Sequence, residues 1–592
     1  MATFTVTNTN NSGAGSLRQE ILDANALTGK DIIDFGGLFN DGLAHAISLT
    51  GSGMSITNDL TIEGINPNLL TIKDNSASRV FDMKSGVTAT INGLTITNSY
   101  NGASGGGAIS NDGVLILNNC IITGNRVNYN AIDYGTMVSR GSGIYNTGSL
   151  TVNHCTITGN TVVKGSGGGG GISSDGSLTV NNSNITDNSA DFGGGIDNFN
   201  LQAVPYGGIS SDGSLTVNNS SLTVNNSNIT GNTATGGPYS GGSGGGISSD
   251  GNLTVNNSNI TGNTAESGGG GGISNSSNDS NSFTVNYSNI TGNTAESGGG
   301  IINIGGDTRV LSPSILTVNH STITGNTVNG RYASGGGIYN NDSCTVNLNY
   351  SIISDNTANG KYSADGAYGG GGIFNNGILS VKYSTITGNT VNGEYGDGDG
   401  GGIYNRQSVS VSKSTISDNY ASDYGGGIYN FYTGNYSNSG GSVTVSYSSI
   451  SGNTAGTAGG GIYNDSFYDQ YTNTAQRGIV AVDYSTLSDN QAHFGGGIYN
   501  DGTLTVGNST IKHNKAFGIE LTSGTYESGD GGGIYNNSTY GTTTVDYSTI
   551  ACNFDTPQKD STKVIKHDDV AGNFINKGHN WIGSLNGSTG FS

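Results

Sequence analysis

The strongest constraint on folding is a phrase that the chain repeats with little change. Residues 253–274 read LTVNNSNITGNTAESGGGGGIS, and residues 283–303 read FTVNYSNITGNTAESGGGIIN. The I-[TS]-x-N element of this phrase returns at steps of 24 to 44 residues. A unit of this size cannot bury an apolar face alone, so neighbouring copies must stack. The asparagines that close the element, with looser forms at the end, are Asn125, Asn160, Asn188, Asn232, Asn263, Asn293, Asn326, Asn356, Asn389, Asn419, Asn453, Asn490, Asn514 and Asn553.

Each copy contains short alternating runs that predict strands and exclude helices. The runs are G-I-Y, L-T-V and T-I-T, which gives three strands per repeat. Successive side chains of a strand face opposite ways, so Leu253, Val255 and Ile260 share an inner face while threonines point outward. The element GGGIYN falls between successive I-[TS]-x-N elements. Its central residues are Ile338, Ile373, Ile403, Ile428, Ile462, Ile498 and Ile534.

The variable spacing selects one repeat architecture. Propeller blades need four strands and a steady length, and leucine-rich repeats need a leucine frame that is absent. Collagen needs glycine at every third position, whereas these glycines come in clusters. The coils of a parallel β-helix tolerate corner loops of any length, and parallel crossovers are right-handed. We therefore predict an all-β, single-stranded, right-handed parallel β-helix, forming one continuous elongated domain.

The polar residues of the repeat have structural roles in such a coil. The closing asparagine can stack on its equivalents and hydrogen-bond through side-chain amides, giving an Asn ladder. The residue before it is usually glycine, which suits a left-handed bend. Aspartate replaces that glycine at Asp187, Asp355, Asp418 and Asp489.

The two ends depart from the repeat. GAGSLRQEILDANALTG (13–29) is the one convincing helix, with Ser16 as N-cap and Gln19 three residues later. We predict that it covers the first coil, because solenoids need polar caps. The predicted divisions are residues 1–98 for the cap and irregular first coils, 99–553 for regular repeats, and 554–592 for an irregular C-terminal segment.

Composition excludes some function classes. The net charge is -21 with only 21 Lys and Arg, which argues against nucleic acid as a partner. No run of about 18 apolar residues could span a membrane. The N-terminus MATFTVTNTN has no signal-peptide pattern. We expect an extracellular or cell-surface protein, exported without a recognisable N-terminal signal.

The four cysteines occupy repeat positions. Cys120 and Cys155 fall in the same slot of adjacent coils, within disulfide range, where other coils carry serine. Either a bond joins them or both are small buried residues of a ladder. Cys344 replaces the leucine of L-T-V and is expected inside, and Cys552 takes the glycine slot of its turn.

Several motifs carry a resemblance to known families. GSLRQEILDAN, after FTVTNTNNSGA, resembles the N-terminal signature of bacterial β-helix proteins of the choice-of-anchor Q type, with Gly15 in the place of a cysteine. The tail HDDVAGNFINKGHNWIGSLNGSTGF is similar to the closing segment of that group. GGGIYN and ITGN also resemble the repeats of chlamydial polymorphic outer-membrane proteins. The resemblance implies a surface or secreted β-helix that is not defined by a catalytic activity.

An enzyme that cleaves polysaccharide is the main alternative, because β-helices host lyases and glycosidases. A hydrolase needs two carboxylates about 5–9.5 Å apart. Asp355, Asp418 and Asp489 share a slot but fall in every second coil, so they are predicted to be turn residues. The HDD of residues 567–569 is the other acidic cluster near a histidine. We predict no catalytic, cofactor-binding or metal-ligating residue, and no enzyme; three or more carboxylates converging with Arg, Lys or His would favour the alternative.

Calcium and ice are further ligands to consider. Glu394, Asp397 and Asp399 share one loop, and Glu527 and Asp530 share another, but both lack a known calcium frame. Solvated loop charge is the simpler interpretation, so no cofactor is predicted. Outward threonines in T-I-T would suit ice binding, but Lys512 and other residues interrupt the pattern.

Tyrosine gives the positive signal for binding. The chain has 30 Tyr, and strand alternation predicts an external aromatic stripe at the GIYN slot. The residues of this slot are Tyr145, Tyr339, Tyr404, Tyr429, Tyr463, Tyr499 and Tyr535. The stripe could bind a ligand or simply stack and stabilise the coils.

The sequence therefore predicts a noncatalytic extracellular structural or adhesive rod. Cell-surface polysaccharide and extracellular matrix are the expected partners. The strand TFTVTN (3–8) could pair with another chain, so head-to-tail self-association into filaments is also predicted.

Overall fold

The computed structural model consists of two compact units, residues 1–295 and 296–592, each of which is described by itself. It describes the chain outside residues 75–77, 102–105, 129–140, 164–166, 199–220, 237–242, 278–281, 306–312, 332, 361–367, 394–396, 432–440, 470–473, 521–525, 528, 538, 556–568, 586–587 and 590–592.

Both units are parallel β-helices, as predicted, and each coil contributes strands to four rows. The rows are named here by their commonest sequence, in chain order I-Y-N, L-T-V, T-I-T and T-A. Equivalent strands of successive coils pair in parallel and in register, for example Leu253 with Phe283 and Val255 with Val285. The T-A row is a short strand after the Asn turn that the three-strand prediction missed.

In the first unit, α1 (Leu17–Asn25) and a 3-10 turn (Gly37–Asn40) accompany the four rows. Its I-Y-N row comprises Met54–Ile56, Phe81–Met83, Ile109–Asn111, Ile144–Asn146, Ile172–Ser174, Ile196–Asn198, Ile247–Ser249 and Ile273–Ser277. Its L-T-V row comprises Thr3–Val6, Asp31–Phe35, Leu60–Glu63, Thr88–Asn92, Val114–Asn118, Ser149–Asn153, Ser177–Asn181, Ser221–Asn225, Asn252–Asn256 and Ser282–Asn286. Its T-I-T row comprises His45–Leu49, Leu70–Asp74, Thr95–Thr97, Ile121–Thr123, Thr156–Thr158, Asn184–Thr186, Asn228–Thr230, Asn259–Thr261 and Asn289–Thr291. Its T-A row comprises Tyr100–Asn101, Arg126–Asn128, Thr161–Val163, Ser189–Ala190, Thr233–Ala234, Thr264–Ala265 and Thr294–Ala295.

The second unit contains its own set of four rows of the same kinds. Its I-Y-N row comprises Ile301–Gly305, Ile338–Asn340, Ile373–Asn375, Ile403–Asn405, Ile428–Asn430, Ile462–Asn464, Ile498–Asn500, Ile534–Asn536 and Val570–Asn576. Its L-T-V row comprises Ile315–Asn319, Thr345–Asn349, Ile378–Lys382, Ser408–Ser412, Ser442–Ser446, Ile479–Asp483, Thr503–Gly507 and Thr542–Asp546. Its T-I-T row comprises Thr322–Thr324, Ile352–Ser354, Thr385–Thr387, Thr415–Ser417, Ser449–Ser451, Thr486–Ser488, Thr510–Lys512, Thr549–Ala551 and Trp581–Ile582. Its T-A row comprises Thr327–Gly330, Thr357–Gly360, Thr390–Gly393, Tyr420–Ala421, Thr454–Ala455, Gln491–Ala492, Lys515–Ala516 and Phe554–Asp555. The corner strands are Tyr368–Gly369, Gly398–Asp399, Ser466–Asp469, Thr474–Arg477, Ile519–Glu520, Tyr526–Glu527 and Ser588–Thr589.

The C-terminal segment adds a coil that the repeat motifs did not predict. Val570–Asn576 pairs with both the I-Y-N and L-T-V rows, and Trp581–Ile582 extends the T-I-T row. The motifs are absent here because Val570 and Ile582 keep only the inward apolar positions of the coil, which a motif search does not recognise.

The N-terminal helix caps the first unit as predicted. The Oγ of Ser16 accepts a hydrogen bond from the backbone N–H of Gln19 at 3.3 Å. Leu17, Ile21 and Ala24 are buried, and the helix packs on the strands Thr3–Val6, Asp31–Phe35 and Met54–Ile56.

The core is a stack of inward aliphatic ladders. Leu253, Val255 and Ile260 are fully buried, and their equivalents in other coils are buried likewise. Each such side chain contributes roughly 1.5–3 kcal/mol by leaving water. The alternation read from the sequence is therefore confirmed.

The Asn ladder is confirmed, and a second one runs beside it. The side chain of Asn263 donates to Asn293 Oδ1 at 3.0 Å and to the carbonyl of Ile229 at 2.9 Å. Its Oδ1 accepts from both the backbone and side-chain nitrogens of Asn232. The asparagines of I-Y-N form the second buried ladder, in which Asn375 donates to Asn405 Oδ1 at 2.8 Å. These amides satisfy turn groups that would otherwise be buried without partners.

Two turns of each coil require left-handed backbone. The residue before the ladder asparagine is usually glycine or aspartate, and Asp355, Asp418 and Asp489 have φ values of 54°, 56° and 59°. The residue after the L-T-V strand also has positive φ, as at Asn257 (49°) and Tyr350 (51°).

The glycine run brings adjacent coils into close contact. Gly335 has a φ of 67°, and a Cβ on Gly336 would lie 2.3 Å from the carbonyl oxygen of Gly371. Any side chain at this second position would push the coils apart, which explains the clustering of glycines in the sequence.

The cysteines are all free thiols. Cys155 Sγ accepts a hydrogen bond from the backbone N–H of Cys120 at 3.3 Å, where serine hydroxyls accept in other coils. The hydrogen bond with Cys120, followed by burial, raises the pKa of Cys155. Cys344 is buried as expected, but its assignment to the leucine slot was wrong, because Val346 pairs with Leu316. Cys552 takes the positive-φ turn position.

Candidate functional site

The predicted aspartate series does not converge on one point. Asp355, Asp418 and Asp489 are exposed turn residues. Gly388 and Gly452 take the same slot in the coils between them. Positive φ explains why aspartate is tolerated there. These residues therefore have a turn-forming role.

The acidic C-terminal segment contains the residue that ends the Asn ladder. His567 and Asp568 lie outside the described residues. Asp569 is buried, and its Oδ1 accepts from the backbone and side-chain nitrogens of Asn553 at 2.7 and 2.8 Å. Asp569 thus takes the place of the next asparagine of the ladder.

The two loops weighed for calcium are only partly described. Glu394 and the Glu527 side chain lie outside the described residues, while Asp397, Asp399 and Asp530 lie within them. Among the described residues, no group of three His, Cys, Asp or Glu side chains is arranged to hold a metal ion. No helix in the part of the chain that the structure describes is long and apolar enough to cross a membrane.

The I-Y-N aromatic residues of the second unit stack on successive coils. We call Tyr339, Phe374, Tyr404, Tyr429, Tyr463, Tyr499 and Tyr535 the inner stack. Ring centroids of Tyr339 and Phe374 lie 4.9 Å apart, and those of Tyr463 and Tyr499 lie 4.8 Å apart. The predicted stacking is confirmed.

The predicted exposure of this stripe is wrong at its centre. Tyr404 is fully buried, and Tyr429 and Tyr463 are nearly so. Tyr424, Phe431 and other rings pack against the outer side of the stack, so corner residues cover it. The exposure prediction failed because alternation fixes only the direction of a side chain, not what lies over it.

Arg406 packs against the inner stack. Its guanidinium carbon lies 5.4 Å from the Phe374 ring centroid, 5.7 Å from that of Tyr404 and 5.4 Å from that of Phe431. This is cation–π geometry with three rings. The side chain of Arg406 therefore occupies the space between these three rings.

Carboxylates flank the inner stack. Asp399 is buried, and desolvation, followed by the charge of Asp423, raises its pKa well above the usual value. Desolvation, with Asp397 nearby, raises the pKa of Asp423 to about 6. The charges of Asp397, Asp399 and Asp423 therefore interact.

Tyrosine hydroxyls reach other carboxylates along the stack. Tyr429 donates to Asp465 at 3.4 Å, and Tyr463 donates to Asp501 at 3.3 Å. Desolvation raises the pKa of Asp501. The hydroxyl of Tyr404 has no hydrogen-bond partner among the described residues.

A second aromatic row of this unit is exposed, and we call it the turn ridge. It is formed by the positive-φ residue after each L-T-V strand, and its members are His320, Tyr350, Tyr383, Lys413, Tyr447, Tyr484, Asn508, Tyr547 and His579. Tyr350 and Tyr383 stack at 4.8 Å with ring planes 1° apart, and Tyr350 is 54% exposed. Tyr447 and Tyr484 stack at 4.9 Å with planes 2° apart.

The turn ridge was not predicted from the repeat motifs. Its signal is the recurrent Tyr-Ser after an L-T-V-like strand, as in LNYS, VKYS, VSYS and VDYS. The signal was overlooked because tyrosine is uncommon at positive φ, so a turn position was not considered as an aromatic slot.

The first unit has asparagine at most equivalent turn positions. Asn182, Asn226 and Asn257 have positive φ and, with strand asparagines such as Asn225, line an open cleft of about 670 Å³. This surface consists mainly of side-chain amide groups, and Tyr287 also lines it. Among the described turn slots of this unit, Tyr287, which is 61% exposed, is the one tyrosine.

Comparisons with known proteins add little beyond the fold. No protein-family model matches the sequence, and no curated protein matches it. Among solved structures, the Dettilon tailspike protein (gp208) matches with 11% identity and a TM-score of 0.30, over 74% of this chain and 66% of the tailspike chain. The chain thus spans just under two thirds of that protein. Likeness at this level carries no argument about activity, and the resemblances to choice-of-anchor Q proteins and chlamydial repeats stay predictions.

Proposed function

We propose that the protein is a noncatalytic, extracellular or cell-surface β-helix that serves as a structural or adhesive scaffold. The observation that carries the proposal is the turn ridge, a row of solvent-exposed tyrosines held in register on a rigid coil. Exposed aromatic rows on a soluble surface are a usual mark of a binding site.

The ridge has a geometry that suits an extended polymer. Stacked neighbours cover the ring faces, so the edges and hydroxyls point outward and repeat about every 4.8 Å. Tyr combines apolar edge contact with a hydroxyl that can donate or accept. A polysaccharide with many hydroxyls could lie along such a row, and matrix polymers offer similar chemistry.

The rigidity of the support favours binding. Stacking on neighbouring rings, as of Tyr350 on Tyr383, holds the tyrosine rings in place before any ligand arrives. Little side-chain entropy is then lost on association. Cell-surface polysaccharide is therefore the preferred partner class in this proposal.

A second candidate function is polysaccharide cleavage. The observation that favours it is the acidic group of Asp397, Asp399 and Asp423 beside Tyr404 and Arg406. A carboxyl with a raised pKa can act as a general acid while another stays ionised. Against it, the described Arg406 packs on rings, and burial closes Asp399 to a substrate.

Head-to-tail self-association is a further part of the proposal. Thr3–Val6 pairs with Asp31–Phe35, and this is the one strand pairing among the described residues for Thr3–Val6. A strand with one paired edge can add a strand from another chain. Light scattering and electron microscopy at increasing concentration should show elongated assemblies. Strict monomers, unaltered by deletion of residues 1–10, would leave the scaffold without the filament.

Binding and cleavage can be separated in one experiment. The full chain is sedimented with a panel of insoluble polysaccharides, and the same samples are assayed for new reducing ends and for unsaturated products. We expect retention without product. Product release that Asp399→Asn and Asp423→Asn abolish would establish the enzyme instead, and no retention on any polymer or matrix protein would refute the adhesive function.

A further inference from the structure

The turn ridge has a notch one coil wide at Asn508. Tyr484 and Tyr547 occupy the coils on either side, with backbone bonds Tyr484 N–H to Gly507 O and Asn508 N–H to Asp546 O. Tyr484 is 51% exposed and Tyr547 is 57% exposed. The notch is therefore open to solvent.

The two walls of the notch are ring faces. The outer face of Tyr484 is covered by Tyr447 at 4.9 Å, and that of Tyr547 by His579 at 4.5 Å. Neither ring has a described aromatic partner on its other side. Two coil steps separate the rings, or about 9.6 Å at the usual strand spacing.

Two carboxylates line the same notch. Asp483 and Asp546 pair in register with Gly507 on either side, so glycine stands where its neighbours carry aspartate. Asn508 Nδ2 donates to Asp483 Oδ1 at 3.0 Å. The Oδ1 atom of Asp546 is buried and has no partner among the described residues.

The ridge contains a comparable gap that the chain fills with its own cation. Lys413 stands between Tyr383 and Tyr447 in the same turn slot. Its Nζ lies 5.2 Å from the Tyr383 ring centroid and donates to the Tyr383 hydroxyl at 3.0 Å. The strand residues beside that gap are Lys382, Ser412 and Ser446, with no carboxylate among them.

The two gaps differ in a complementary way. One has a cation and no acid, whereas the other has two acids and no cation. From this juxtaposition we infer that the Asn508 notch binds an organic ammonium group carried by an external ligand, and that a trimethylammonium group fits it best.

The spacing supports that choice of ligand. A group centred in the notch lies about 4.8 Å from each ring, half of two strand spacings, within the cation–π range of about 6 Å. A trimethylammonium group can contact both rings at once, whereas a primary ammonium can contact one, as Lys413 does. Anionic sugars are disfavoured, because Asp483 and Asp546 would repel their carboxylates.

The inference deepens the proposed function, because it names a ligand group for part of the turn ridge. Ammonium binding at the notch and the adhesive function can nevertheless be refuted independently of each other. Loss of polymer retention with intact ammonium binding would refute only the adhesive function. Retention of polymer without ammonium binding would refute only the notch.

Saturation-transfer difference NMR of the full chain tests the site at 0.3 M NaCl, which screens the net charge. The probes are choline, its neutral isostere 3,3-dimethylbutan-1-ol and the primary amine ethanolamine. We expect a saturable choline methyl signal with millimolar affinity, a weaker ethanolamine signal and none from the isostere. Equal signals from choline and the isostere would overturn the proposal.

Variants locate the binding. Asn508→Lys places the chain's own ammonium in the notch, and Lys413 shows that this turn accepts lysine at positive φ. We expect at least a fivefold loss of choline signal with Asn508→Lys and with Asp483→Asn/Asp546→Asn. Asn226→Lys is the matched control, because it makes the same change at the same turn slot of the first unit between asparagines. An equal loss with Asn226→Lys, or no loss with Asn508→Lys, would refute the site.

Discussion

The two units have the same coil conformation but differ in the residues at two outward positions of each coil. In the first unit most I-Y-N slots carry small or polar residues such as Ser173 and Ser248, with Tyr145 as an exception, and most described turn slots carry asparagine. In the second unit most of the same slots carry tyrosine or phenylalanine, which form the inner stack and most of the turn ridge. The inward residues are alike in both units.

This difference separates folding from recognition. The inward aliphatic ladders and the Asn ladders specify the coil, and they are common to both units. The outward slots are free to vary without changing the register, so a coil can be stable with serine or with tyrosine there. Loops and outward positions on a rigid scaffold are where binding residues are usually found.

The largest expected effect concerns the inner stack. Tyr404→Ala should reduce the free energy of unfolding by about 3–5 kcal/mol, because a fully buried ring leaves a cavity. Urea denaturation measures this loss. Ser173→Ala, at the same slot of the first unit, should change stability by no more than about 1 kcal/mol, because it removes a buried hydroxyl that has no hydrogen-bond partner among the described residues. Equal effects at the two positions would show that the stack adds nothing to the second unit.

The Asn ladder should be equally important in both units. Asn263→Leu and Asn389→Leu each leave several buried turn groups unpaired, at a cost of about 1–3 kcal/mol. Urea denaturation of the two variants gives the comparison. A free energy of unfolding in urea that is unchanged by both substitutions would contradict the ladder, and a loss confined to one unit would contradict the shared framework.

The buried carboxylates of the second unit predict a smaller pH effect. The pKa of Asp423 is raised from 3.8 to about 6, so the folded state binds more protons than the unfolded state between these values. Its contribution to stability is fully present below pH about 4 and is lost as the pH rises through about 6.

Thermal melts of the wild type and Asp423→Asn between pH 4 and 7 test this sign. We expect the wild type to lose a few degrees relative to the variant as the pH rises, on the order of 2–4 °C for 1 kcal/mol. Asp187→Asn, at an exposed turn of the first unit, should follow the wild type. A wild type that gained stability relative to Asp423→Asn over this range would contradict the burial of the carboxylate.

The sequence was sufficient to predict the roles of the inward-facing residues of each coil. It was not sufficient to predict the surroundings of the outward-facing residues. The Asn, Leu, Val and Ile positions were predicted because each repeat imposes the same requirement on them. The covering of Tyr404 was not predicted, because Tyr424 and Phe431 come from corner segments whose path the repeat does not specify. The turn ridge was missed for a different reason, since Tyr350 sits at a backbone angle that tyrosine seldom adopts.

The polymer-binding account is tested most directly by giving the second unit the turn residues of the first. Tyr350, Tyr383 and Tyr447 are each replaced by asparagine, which the first unit already carries at positive φ. Retention on the polysaccharide that binds the wild type is then measured by sedimentation. The account predicts at least a tenfold loss of retention, with urea stability lowered by no more than about 1 kcal/mol per site. Unchanged retention in the triple variant would contradict the turn ridge as the binding surface.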